Sequence, residues 1–180
     1  MIGYFDVFPD KCETELRTVT LMDCEVGDPV PNGLYVFTEY FCNDLSCDCS
    51  RLLVKVFHQE DSHSRPEEVA TISYTWNDCA DESWSEIIGE TGNPFLDPFH
   101  FQAGFADEIM DLWSEMLSRD RDYQKRIIRH YHELREKFGV QHPENSISPV
   151  AVPRETPSER KRRYKALQRR TASNRKFRAR

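Results

Sequence analysis

The sequence predicts an α+β domain: a four-stranded, mainly antiparallel sheet covered by a C-terminal helical hairpin. Three observations carry that reading. Four β-branched or aromatic runs precede residue 77, two adjacent amphipathic helices lie between Phe105 and Phe138, and a thiol-dense turn joins the two middle strands.

Glu15 to Met22 alternates as a strand with one wet face does. Gly27 to Gly33, with Pro29, Pro31 and Asn32, is dense in turn formers and closes a loop. Leu34 to Tyr40 and Leu52 to Phe57 are the next two strands, flanking Phe41 to Ser50. Gln59 to Glu68 is polar and reads as a loop, and Val69 to Trp76 is the fourth strand. Short connections make an antiparallel meander the economical arrangement.

Asp81-Glu82-Ser83 is placed to cap a short helix through Trp84, Ile87 and Ile88, stopped at Gly89. Thr91 to His100 reads as a loop. Phe105, Ile109, Leu112, Trp113 and Met116 then recur at helical spacing as one apolar stripe. A break near Ser118 to Asp120 separates this helix from a second, with Tyr123, Ile127, Tyr131, Leu134 and Phe138 on its apolar side. Gly139 ends it.

The expected organisation is an acidic body over 1–140, a proline-rich linker over 141–157 and a basic tail over 158–180. The linker and tail are too polar to bury themselves and are expected to be disordered. The formal net charge of -7 hides a split. From Arg154 to Arg180, twelve Lys and Arg stand against Glu155 and Glu159, a net of +10; twelve basic and 29 acidic residues precede them, a net of -17. A basic arm on an acidic body points to a polyanionic partner such as RNA or the ribosome, or to an acidic protein, the chain's own body included.

The first residues lack a basic start followed by an apolar run, and no stretch approaches the roughly 18 apolar residues of a membrane helix. A cytoplasmic, reducing location is the expectation. There, six cysteines point to metal or free thiols rather than disulfides.

Three of the six fall in one turn, Cys42, Cys47 and Cys49, spaced C-x4-C-x-C at the tip of the central hairpin. Soft thiolates converging on one turn suit a structural zinc ion, ahead of an iron–sulfur cluster or copper(I), and disfavour hard cations. A closed site needs a fourth donor. At about 100° per residue, His130 lies roughly 60° from the centre of the last helix's apolar stripe, on its sheet-facing edge, whereas His132 points to water. His130 is therefore the first candidate, with Cys24, Cys79, His58 and His100 as competitors.

Gly33 to Cys42 followed by Cys47-Asp48-Cys49-Ser50-Arg51 is similar to an uncharacterised bacterial family carrying a Y-C-x4-C-D-C-R-R knuckle. The resemblance continues through Ala70 to Trp76 and Asn93 to Pro98 to Arg129-His130-Tyr131, so it covers about Pro31 to Phe138. It implies the metal knuckle and a role for His130, and names no reaction. Ser50 replaces an arginine of that pattern, and Thr75 replaces the glycine before Trp76.

Functionally, the first expectation is a non-catalytic zinc-stabilised binding module whose basic arm contacts a polyanion. The alternatives are a metal enzyme with an open coordination position and a thiol redox or metal sensor. The sequence has no glycine-rich phosphate loop, nucleophile elbow or zinc-protease helix, which leans away from familiar enzymes.

Overall fold

Strand formation follows the β-branched and aromatic runs read from the sequence, and the hydrogen-bonded pairs extend them. In the computed structural model, six strands form one antiparallel sheet in the order β1-β3-β4-β5-β6, with β2 also paired to β3. They are β1 (Ile2–Gly3), β2 (Arg17–Leu21), β3 (Gly33–Phe41), β4 (Arg51–Gln59), β5 (Glu67–Thr75) and β6 (Phe95–Leu96). The helices are α1 (Tyr4–Val7), α2 (Cys12–Glu15), α3 (Ala106–Arg119) and α4 (Arg121–Lys137), with a 3-10 turn at Pro9–Lys11 between the first two. The structure describes residues 1–22, 24, 28–44, 47, 49–76 and 92–139. The expected 81–89 helix, the linker and the basic tail lie outside the described residues.

The four anticipated strand segments coincide with β2 to β5, but the sheet is larger than four strands. The reason is that β1 and β6 are only two residues long and carry no alternation to read. Both β1 and β2 pair with the same edge of β3: Ile2 opposite Phe41, and Arg17 to Leu21 opposite Phe37 to Gly33. The chain between them, 4–16, leaves the edge opposite Thr38 and Glu39. That excursion places α1, the 3-10 turn and α2 beside the sheet.

Paired residues share a face. The rows Phe37–Val56–Ala70, Glu39–Val54–Ile72 and Phe41–Leu52–Tyr74 therefore make one face of β3, β4 and β5. All nine of these side chains are buried, Glu39 among them. Helices α3 and α4 supply the other half of this core. Trp113 meets Tyr74 edge-on at 5.4 Å, and Tyr131 packs against Trp76 at 5.1 Å and Phe41 at 6.0 Å. Where the sequence breaks its helical stripe, Asp120 caps α4 by accepting from the Tyr123 backbone N–H at 2.9 Å. The buried Trp113 indole donates to the Tyr123 hydroxyl at 3.1 Å, tying the two helices. Beyond α4, Gly139 takes φ +79°, the left-handed conformation that closes a helix cheaply.

Strand β5 is buried on both faces, from Val69 through Trp76. Its outer edge is closed as much by side chains as by β6. The Asn93 amide pairs with both the N–H and the C=O of Thr75, at 3.1 and 2.8 Å, and Gln102 does the same for Thr71, at 3.1 and 3.0 Å. Two amide side chains thus take the ladder positions that a longer edge strand would fill, leaving little to template another chain. Among the described residues, no helix is long and apolar enough to cross a membrane.

Candidate metal centre

Strands β3 and β4 pair up to Phe41 opposite Leu52, so the chain must reverse within 42–50. The reversal brings the ligand atoms of Cys42, Cys47 and Cys49 within 4.8 Å of one another, each residue half-buried. The Cys47 backbone N–H donates to the Asp44 carbonyl at 3.2 Å, closing the turn. The Cys49 N–H donates to the Cys47 sulfur at 3.4 Å, and the Cys42 thiol reaches the Asp44 carbonyl at 4.0 Å. Burial first, then the neighbouring sulfurs, push the Cys49 thiol up to about 12.

Two elements hold this turn. On the sheet side, the Ser50 and Thr75 hydroxyls bond at 2.9 Å in a buried contact. Arg51, next along, donates from Nε to the Ser73 hydroxyl at 3.3 Å and from Nη2 to the buried Asp97 carboxylate at 3.0 Å. On the helix side, Arg135 of α4 donates from Nη1 to the Asp44 carbonyl at 2.8 Å and from Nη2 to the Cys47 carbonyl.

The sequence offers His130 for that connection, and the structure places it elsewhere. Its side chain is fully buried on the sheet-facing edge of α4, and His132 is exposed. Both His130 ring nitrogens, however, face carboxylates at 2.7 Å: Nδ1 the Glu39 oxygen and Nε2 the Glu15 oxygen. His130 is thus not part of the three-sulfur group. Cys24, His58 and His100 are not part of it either, and Cys79 lies outside the described residues. His58 bonds the Asn32 carbonyl and His100 bonds Asp97. Among the described residues, no histidine, cysteine or carboxylate completes the sulfur set.

The His130 surroundings form a second polar centre. Tyr4 stacks on the imidazole at 3.7 Å and 9°, and its hydroxyl donates to Glu133. Lys11 pairs with Glu133 at 2.8 Å, and Arg129 pairs with Glu15 and, at 3.6 Å, with Glu133. A neutral imidazole has one N–H, so two short bonds to two carboxylates require an imidazolium or a protonated carboxyl. The group is a hydrogen-bonded bolt joining β3, the 4–16 excursion and α4. Sequence reading finds the histidine but not its partners, because Glu15 and Glu39 look like ordinary polar positions of alternating strands.

Burial raises Glu15 and Glu133, but His130, Arg129 and Lys11 around the first, and Lys11, Tyr4 and Arg129 around the second, outweigh it and hold both carboxyls below their usual range. Burial likewise raises Glu68, and Lys55 and Thr71 reverse it; Asp120 is lowered by the Tyr123 N–H and by Arg17. A carboxyl with a depressed folded pKa stabilises the fold above its unfolded pKa, and that stability is lost as pH falls through the folded value. Urea unfolding should therefore show the stability these carboxyls contribute declining as pH falls below about 4. Equal stability at pH 6 and pH 3 would contradict these pairings.

Compared with known proteins, the chain matches no family model, no curated protein and no solved structure.

Proposed function

We propose that Cys42, Cys47 and Cys49 hold a zinc ion as a structural centre, and that the chain is a non-catalytic binding module. In this reading the basic segment Arg154 to Arg180 engages RNA, the ribosome or another polyanion. The kinship with the uncharacterised knuckle family belongs to the same proposal. The observation that supports it most is the convergence of three sulfurs within 4.8 Å at a hairpin tip. Soft, borderline cations prefer such donors, and zinc accepts tetrahedral thiolate sets without redox chemistry.

Two further observations favour a structural over a reactive role. Burial and the neighbouring sulfurs raise the Cys49 thiol, which makes that one sulfur a poor nucleophile. A cleft of about 630 Å³, lined by Thr20, Met22, Asn32 and Gln59 among others, lies at the opposite end of β3 and β4. Seven residues of strand separate the two ends, roughly 24 Å. A substrate held there would not reach the sulfurs.

The partner half of the proposal rests on charge. Twelve Lys and Arg in the last segment supply phosphate contacts without sequence choice, and such contacts weaken steeply with salt. Anisotropy of a labelled single-stranded RNA should report binding by the full chain at about 50 mM salt that falls steeply by about 200 mM. A chain ending at Pro153 should not bind. Equal binding by the truncated chain, or none by the full chain, would remove the RNA reading.

A further inference from the structure

Arg135 is 3 % exposed, and charged side chains are almost never buried so fully unless paired. On α4 it lies on the opposite edge of the buried stripe from His130, one turn beyond Tyr131. Its guanidinium carbon lies over the Tyr131 ring, 5.5 Å from the centroid, within cation–π range. From there Nη1 and Nη2 reach two carbonyls of the same turn, those of Asp44 and Cys47. The Asp44 carbonyl is also the acceptor for the Cys47 N–H. One planar cation thus fixes the segment that carries the second sulfur and the carbonyl on which the turn closes.

We infer that Arg135 is the positioning residue of the thiolate centre: by holding the Asp44 and Cys47 carbonyls it sets the convergence of the three sulfurs, and its charge offsets that of a tris-thiolate ion. This rests on the metal reading of the knuckle. The electrostatic half follows from counting. Three thiolates around a divalent ion carry one net negative charge in a half-buried turn, where unpaired charge is costly. A guanidinium bonded to the carbonyl of one ligand residue lies close enough to offset it. The geometric half follows from the fork. A lysine supplies a point charge but no rigid pair of donors, so it can restore the charge and not the two-point grip.

Outer-shell partners of metal ligands typically contribute about 10–100-fold to affinity. Cobalt(II) titration of the full chain, followed by zinc competition against a chromophoric chelator, tests the assignment. The parent should show sulfur-to-cobalt charge transfer and tetrahedral d–d bands. Arg135→Gln should keep the parent far-ultraviolet spectrum yet bind zinc about 10–100-fold more weakly, with broadened d–d bands. Arg135→Lys should recover part of the affinity while its d–d bands remain shifted from the parent's. It also carries the test if the glutamine variant does not fold. Parent-like affinity and bands in either folded variant would overturn the role of Arg135 and leave the centre standing. Absence of cobalt charge transfer in the parent would overturn the centre itself, and the inference with it.

Discussion

Replacing His130 with alanine should destabilise the fold by about 3–5 kcal/mol, the cost of leaving a buried charge without its partner. Glu39 sits on the helix-covered face between Phe37 and Phe41, is 1 % exposed, and its bonded oxygen faces His130. Its other oxygen accepts no hydrogen bond among the described residues. Removing the imidazole therefore leaves the buried Glu39 carboxyl without its partner and empties the space against which Tyr4 stacks at 3.7 Å. It also unfastens Glu15 and with it the 4–16 excursion. Urea unfolding measures the cost. The double variant Glu39→Gln/His130→Ala should lose less than the sum of the two single changes, because the unpartnered carboxyl is gone. A loss under about 1 kcal/mol for His130→Ala would show that the bolt contributes little against the usual cost of breaking such pairs.

On the proposed metal reading, a chelator should have an effect of similar size by a different route. A ligand bound only to the folded chain stabilises it by RT ln(1 + [L]/Kd), about 4 kcal/mol at a thousandfold excess over Kd. For a body of this size that corresponds to a fall in Tm of about 8–16 °C. The turn spans 42–50, so the loss falls on the end of β3 and β4 and on the Arg135 grip rather than on the helix–sheet core. Calorimetry with and without a strong chelator should show that shift in the parent. Cys42→Ser should start at the lower Tm and ignore the chelator. A parent chain whose Tm is indifferent to the chelator would speak against a stabilising metal.

Much of the architecture is legible because it rests on periodicity. Alternation over Arg17–Leu21, the apolar and β-branched runs of Gly33–Phe41, Arg51–Gln59 and Glu67–Thr75, and the three- and four-residue step of α3 and α4 are all long enough to read. The first sixteen residues are not legible in this way: two four-residue helices and a two-residue strand are set by what they pack against, not by local pattern. The outer edge of β5 escapes for a related reason, since nothing marks Asn93 and Gln102 as substitutes for a strand.

The same distinction governs the candidate centre. Three cysteines in eight residues declare themselves by spacing. The contact with α4 does not, because helix geometry offers two edges of one stripe and chemistry suggests a histidine. The structure uses both edges for different work: His130 faces Glu39 and Glu15, and Arg135 faces the turn. A buried arginine as a clamp on main-chain carbonyls is invisible in sequence, where it reads as one more basic residue near a helix C-terminus.

The central claim is that the hairpin tip is a thiolate metal centre, and elemental analysis of the chain purified under reducing conditions without added metal tests it most directly. The account predicts one zinc per chain in the parent and in His130→Gln, whose histidine is not a ligand, and none in Cys47→Ser. A metal-free parent, or one whose mass shows Cys42, Cys47 or Cys49 paired in a disulfide, would contradict it.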